Sequence, residues 1–345
     1  MQNIKRLLHK KGKIFFIAEA GVNHNGSLRL AYRLVDAAKK AKADYIKFQL
    51  FYSKELTTAY APQANYQFKN TKKKQTQLEL LKKLELNLVS FKKIKLYCKK
   101  RKINFLLSVF GVEELKTVKK LNLKVIKIPS GEINNAQLLK CIAKMNKKII
   151  ISTGMASLKE VEFAIKILKK NGLNNKKILV LQCTTDYPTQ LKDVNLNAMI
   201  TMKKKFKVEV GLSDHTIGHE ASISAVSLGA TIIEKHITLN NNMKGPDHKA
   251  SLNPKKFKEL VTKIRNVEIL LGNHLKKPSK SELKNKKIVR KSIVAKNNIK
   301  KGEIFSDTNI ICKRPEGGIS PIYWNNIIGK KSKQNFKVDD FISLK

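Results

Sequence analysis

The chain has 345 residues and a formal net charge of +45, from 71 lysines and arginines against 26 acidic residues. This length suits one large α/β domain plus a small one. No apolar run reaches the roughly 18–20 residues of a membrane-spanning helix, so neither a spanning segment nor a membrane partner is expected. The basic charge raises a nucleic-acid or acidic-membrane partner, but lysines are spread over nearly every predicted helix and loop. They read as a solvated, lysine-biased surface that attracts anionic substrates, not as a nucleic-acid stripe. The four cysteines lie far apart without a C-x-x-C pair, which fits a reducing cytosol and a cytoplasmic protein. The start MQNIKRLLHKKGKIFFIAEAG is basic then apolar like a secretory signal, but its apolar part is short and contains Glu19. It is read as the first strand, with His9 on the surface.

From residue 14 to about 272, β-rich runs alternate with amphipathic helical stretches, the pattern of a parallel sheet with helices outside. The strands are IFFIAEAG from Ile14, YIKFQLF from Tyr45, NFLLSVFG from Asn104, KVIKIPSGE from Lys124, KIIISTGM from Lys148, ILVLQCTTDYP from Ile178, VEVGLSDHT from Val208 and ATIIEKHITL from Ala230. Helical patterns lie between them, such as SLRLAYRLVDAAKKA from Ser27 and EVEFAIKILKKNG from Glu160, the latter stopped at Gly172. Eight such units predict a closed (β/α)8 TIM barrel over residues 1–272. The stretch from Gly272 to Lys287 lacks apolar periodicity and reads as a linker, 273–287. Residues 288–345 hold short apolar runs broken by turns and read as a small, mainly β domain.

Side chains alternate along a strand, so one parity faces the helices and the other the barrel axis. Ile46, Phe48, Ile126 and Ile128 face outward. Lys47, Gln49 and Lys127 face in, with Glu19, Ser108, Ser152, Thr185, Tyr187, Ser213, His215, Glu234 and His236. These inward polar residues gather toward the C-terminal strand ends, where active sites of this fold lie. An isolated inward serine is usually satisfied locally. Buried lysines are costly without an anionic partner, so Lys47 and Lys127 ask for a ligand anion or for Glu19, Glu132 and Glu234. Lys235 has the outward parity and is expected to be an exposed charge.

Of the seven histidines, His274 sits in linker-like sequence and His24 in a turn that it can shape. His215 and His236 share the inward parity on neighbouring strands, beside Glu234. Two imidazoles so placed can ligate one transition ion and leave positions open for water and substrate. His219 and His248 are looser candidates. Asp247, in the loop NNNMKGPDHKASLNP, fits either a turn carboxylate or an acceptor for the hydroxyls of a polyol.

The segments AEAGVNHNGS, IKFQ, KIPSGE, ISTGM, CTTDYPT, GLSDHT, EKHITL, GPDHKASL, RKSIVA, IKKGE and KRP, in this order and spacing over essentially the whole chain, resemble the sialic acid synthase family. The resemblance implies a barrel followed by an antifreeze-like (SAF) domain, in a homodimer where that domain caps the partner's active site. It implies condensation of phosphoenolpyruvate with an open-chain N-acylated amino sugar and water, giving a nonulosonic acid and phosphate. A divalent ion, manganese or else Mg2+ or Co2+, is implied, with His215 and His236 as ligands. By motif, Lys47, Ser108, Lys127, Ser130, Ser152 and Ser213 match the phosphoenolpyruvate site. Glu19, Tyr187 and Asp247 match sugar-binding positions, with Gln49 and Thr185 also facing substrate. Arg314 matches the arginine that reaches the sugar's acylamino group across the dimer. Glu132 is placed to handle water or a proton.

Two departures bear on the substrate. Ser108-Val109-Phe110 stands where Thr-Pro-Phe is common, and Thr185 stands where some members have asparagine. The expected product is N-acetylneuraminate, from N-acetylmannosamine. The alternative is N,N'-diacetyllegionaminate, from 2,4-diacetamido-2,4,6-trideoxymannose. A Schiff-base aldolase using Lys127 or Lys47 and a polyanion-binding protein are the remoter readings.

Overall fold

A computed structural model describes residues 13–344; His9 lies outside the described residues. The chain divides into two compact units, the first ending at Gly272 and the second starting at Asn273.

In the first unit, eight parallel strands close into a barrel in chain order. They are β1 (Phe15–Gly21), β2 (Tyr45–Leu50), β3 (Asn104–Val109), β4 (Val125–Ile128), β5 (Lys148–Ser152), β6 (Ile178–Cys183), β7 (Glu209–Asp214) and β8 (Ile232–His236). All eight predicted strands form, and all but β1 are shorter at the C-terminal end than the sequence run. The loops that follow therefore carry Ser130, Thr185, Tyr187 and His215.

Outward residues Ile46, Phe48, Ile126 and Ile128 join the main core against helix residues such as Leu34, Phe91, Leu138 and Phe257. Each fully buried side chain of this kind contributes roughly 1.5–3 kcal/mol. The inward residues Phe15, Ile17, Leu106, Val125, Ile150, Leu181 and Ile232 form a separate apolar plug. That plug fills one end of the barrel. The polar layers sit above it, toward the strand C-termini.

Helix starts follow local rules. Ser27, Asn87 and Ser157 accept from the backbone N–H groups of Leu30, Ser90 and Glu160, and Asn253 caps a helix that has Pro254 in its first turn.

In the second unit, β9 (Ser292–Ala295) and β10 (Ile310–Lys313) pair antiparallel. Ile293, Ile299, Phe305, Phe336 and Ile342 form their small core. The expected linker contains a helix, Lys280–Val289. Ser279 and Glu282 form a capping box at its start, and none of its side chains is buried. It therefore lacks the apolar stripe by which the sequence would reveal it.

Lys235 also departs from expectation. Its parity is outward as predicted, but the side chain is 1% exposed and sits 2.7 Å from Asp214. Outward in a barrel means toward the helices. At this position the helices exclude water.

Candidate active site

Four charges lie buried in one layer of the barrel interior. Lys47 Nζ is 2.7 Å from Glu19 Oε2 and 3.5 Å from Glu234. Lys127 Nζ donates to both oxygens of Glu234, at 2.9 and 3.1 Å. The register aligns Glu19 with Lys47 on one side and with His236 on the other. Each ammonium thus has a carboxylate partner. Such pairing is what makes four buried charges tolerable.

Burial works against the Lys47 ammonium, but Glu19 and Glu234 outweigh it and hold its pKa above the usual lysine value. Burial, with Lys47 nearby, lowers that of Lys127 despite Glu234. Burial also opposes the Glu234 carboxylate, yet the two lysines hold its pKa well below the ordinary range. Glu19 is pushed up by burial against the pull of Lys47.

Hydroxyls rise from the neighbouring positions. Ser213 Oγ donates to Glu234 at 2.8 Å, and Ser108 Oγ reaches the Phe48 carbonyl at 3.4 Å. Ser130 Oγ accepts from the Gly154 N–H at 2.9 Å. A Cβ on Gly154 would lie 2.0 Å from Thr185 Oγ1 and 2.8 Å from Ser130 Oγ, so only glycine fits between those two hydroxyls. Ser152 Oγ, Thr185 Oγ1, Glu19 Oε1 and His236 Nδ1 are buried without a hydrogen-bond partner among the described residues. Buried polar atoms are normally paired. Four unpaired ones around one barrel mouth mark a place built for a ligand.

The imidazoles of His215 and His236 are 5.4 Å apart, centroid to centroid, and inclined at 66°. His215 Nδ1 lies 2.7 Å from the Thr184 carbonyl, an acceptor only, so a proton sits on Nδ1 and Nε2 is the nitrogen left to face a ligand. Burial disfavours the His215 cation, but Cys183 and Thr184 raise its pKa overall. Burial, followed by His215 and Lys47, drives that of His236 far down, so its ring is neutral. Two imidazoles on adjacent strands suit a divalent transition ion, which displaces any proton on the nitrogen that binds it. Among the described residues no group of three or more His, Cys, Asp or Glu side chains could hold a metal.

Tyr187 stacks on His215 at 4.2 Å and meets His236 edge-on at 5.7 Å. Asp247 is buried near Glu19 and Gln49: a Cβ on Gly21 would lie 3.2 to 3.5 Å from all three. Burial, then Glu19, pushes the Asp247 pKa up to about 7. Glu132 is half-buried after β4 and accepts from Asn135 at 2.8 Å. Burial raises its pKa.

The barrel unit carries every predicted site residue except Arg314, which is exposed and belongs to the second unit; Glu132, also predicted as a partner for the interior lysines, has Asn135 and Glu114 as its neighbours instead. His248 is tied to Thr238 at 2.7 Å and Asn25 at 3.3 Å, and His219 lies 3.2 Å from Lys263 Nζ, so neither joins the histidine pair. His24 accepts from Gly26 N–H at 3.1 Å and shapes its turn. A cavity of about 860 Å³ beside the mouth is walled by Asn70, Lys72, Lys73, Lys244 and Lys249 among others; no inward strand residue lines it.

Two neighbours escape the sequence reading. Cys183 shares the inward parity of Leu179 and Leu181, and its Sγ lies 4.0 Å from His215 Nδ1. The same alternation count finds it. Tyr66, on the helix Asn65–Thr71, stacks on Tyr187 at 5.0 Å; no periodicity in that excursion after β2 points to it.

A closed parallel barrel with catalytic types gathered at the C-terminal mouth defines an enzyme scaffold of the TIM-barrel class. Comparison with known proteins fixes the lineage. The NeuB family model matches residues 34–276 and the SAF domain model matches 290–345. The chain belongs to the NeuB family. It is 51% identical over 330 residues to N,N'-diacetyllegionaminic acid synthase of Campylobacter jejuni, covering 96% of this chain and 99% of the relative. To the synthase of that name from Legionella pneumophila it is 42% identical over 324 residues, covering 93% and 91%. The crystal structure of N-acetylneuraminic acid synthetase from Leptospira borgpetersenii, in complex with citrate, superposes with a TM-score of 0.70 at 35% identity, covering 79% of this chain and 90% of that one.

Proposed function

We propose that the chain is a nonulosonate synthase that condenses phosphoenolpyruvate with an N-acylated amino sugar and water, releasing phosphate. The observation that carries the reading is the Glu19–Lys47–Glu234–Lys127 layer beneath unpartnered hydroxyls and a histidine pair. Lys47 and Lys127 offset the charge of phosphate and carboxylate, and the hydroxyls of Ser152 and Thr185, with Ser108, Ser130 and Ser213 around them, supply hydrogen bonds to the same anion. Glu19, Gln49, Tyr187 and Asp247 line the adjacent wall and orient the sugar's hydroxyls.

The new C–C bond joins C3 of phosphoenolpyruvate to the sugar's aldehyde carbon. Water adds at C2, and the C–O bond to phosphate then breaks. Glu132, whose pKa burial raises, handles the proton. A divalent ion, manganese in this proposal with Mg2+ or Co2+ as substitutes, would be held by His215 and His236 and would polarise the aldehyde as a Lewis acid. The homodimer, in which Arg314 reaches the sugar bound by the partner, and the cytoplasmic location belong to the same proposal. No helix among the described residues is long and apolar enough to cross a membrane.

The sugar favoured is 2,4-diacetamido-2,4,6-trideoxymannose, because the relatives named for diacetyllegionaminic acid share more identity than the one named for N-acetylneuraminic acid. N-acetylmannosamine is the second reading. A competition assay decides: with both sugars present, a larger kcat/KM for the diacetamido sugar supports the first, and preference for N-acetylmannosamine overturns it.

A further inference from the structure

Behind the two histidines, on the helix side of the barrel, lies an ion pair for which the reaction has no direct use. Asp214 and Lys235 face each other in register across β7 and β8. Lys235 Nζ donates to Asp214 Oδ2 at 2.7 Å, to the Thr216 carbonyl at 2.8 Å and to Thr216 Oγ1 at 3.2 Å. Asp214 Oδ1 accepts from Thr216 N–H and Oγ1, each at 2.8 Å, and its Oδ2 also accepts from Ser222 Oγ at 2.5 Å. Every donor of the ammonium is used, and both carboxylate oxygens are filled. The side chains of the pair are 0–1% exposed.

The placement is what gives this network a task. Asp214 and Thr216 flank His215, and Lys235 immediately precedes His236. His215 stands one residue beyond β7, where the strand ladder has ended and its carbonyl accepts from the Thr189 N–H at 3.0 Å. That bond ties His215 to the loop after β6 and not to His236; the network supplies the link between the two, tying the residues on both sides of His215 to the residue before His236, while Ser222 ties the assembly to the helix Glu220–Ser227. A shift of one histidine against the other would have to break hydrogen bonds in a water-free pocket, where an unpaired charge is expensive.

We propose that Asp214 and Lys235 are positioning residues that set the spacing of His215 and His236 for a divalent ion. This rests on the metal reading of the histidine pair given above. Neither side chain touches substrate. They act through the backbone, as outer-shell partners of metal ligands do.

The test measures manganese affinity of the full-length protein by the EPR signal of free Mn2+, alongside the melting temperature. The variant D214L/K235M replaces the pair with apolar side chains of similar size, a change that often preserves stability. Because Thr216 and Ser222 lose their partners, the expected result is a folded protein with a moderately lower melting temperature and Mn2+ bound at least about tenfold more weakly. A merely structural pair would lower the melting temperature and leave the affinity of the folded protein unchanged; that outcome overturns the proposal. Should the double variant not fold, Ser222→Ala removes one bond to Asp214 and is expected to weaken Mn2+ binding by a smaller factor; unchanged affinity there overturns it equally. If the unaltered protein binds no Mn2+, the metal reading itself fails, and the positioning role fails with it.

Discussion

Lys127 reaches across the barrel to Glu234, its Nζ within hydrogen-bond distance of both carboxylate oxygens, while the second lysine, Lys47, stands 3.5 Å from the same carboxylate. One glutamate therefore holds two ammonium groups that an incoming phosphate and carboxylate would otherwise have to desolvate alone. Removing one partner of a buried pair is costly, whereas replacing both by apolar groups is often neutral. Lys127→Met is expected to lower stability by roughly 3 kcal/mol in urea unfolding. K127M/E234L is expected to recover most of that loss, and neither variant is expected to bind phosphoenolpyruvate by calorimetry. Retained binding in either would remove Lys127 from the anion site.

Asp247 links function to pH. Its pKa is pushed up from 3.8 to about 7, so between those values the folded chain keeps a proton that the unfolded chain has released. Stability therefore falls as pH rises through that window, with a slope of up to about 1.4 kcal/mol per pH unit from this group. Asp247→Asn is expected to flatten the decline, raising stability at pH 8 relative to pH 5, and to weaken sugar binding. Chemical unfolding across pH measures the first effect and the sugar KM the second. An unchanged slope would show that Asp247 ionises normally.

Tyr66 continues the stack of Tyr187 on His215. Aromatic pairs contribute about 0.5–1.5 kcal/mol beyond their buried area. Tyr66→Ala is accordingly expected to raise the KM for the sugar roughly 2- to 10-fold, with the KM for phosphoenolpyruvate unchanged. A change confined to phosphoenolpyruvate would move Tyr66 to the other half of the site.

The pairing of both interior lysines with carboxylates also bears on the Schiff-base reading. Borohydride treatment in the presence of substrates is expected to trap no adduct on Lys47 or Lys127, and a chelator is expected to abolish turnover until a divalent ion is restored. Full activity in chelator together with a trapped lysine would establish an aldolase of the covalent type.

Much of the site is legible because the strand period is two. The alternation in YIKFQLF turns Lys47 and Gln49 inward, and the same count places Glu19, Ser152, Ser213, Glu234 and His236. Alternation says which side a residue faces, not what covers that side. Lys235 therefore reads as a surface charge when the helix Glu220–Ser227 buries it on Asp214. The helix Lys280–Val289 is hidden for the opposite reason: it buries nothing, and only its capping box betrays it. Tyr66 is out of reach because its contact with Tyr187 joins the helix Asn65–Thr71 to the loop after β6, and no local pattern encodes such an approach.

Incubating the protein with phosphoenolpyruvate, Mn2+ and each acylamino sugar, then determining the product's mass and the phosphate released, is the decisive experiment for the synthase activity. A nonulosonate synthase releases phosphate stoichiometrically and yields a product whose mass is that of the sugar extended by the three carbons of pyruvate. Absence of phosphate release with every hexosamine tried would contradict it.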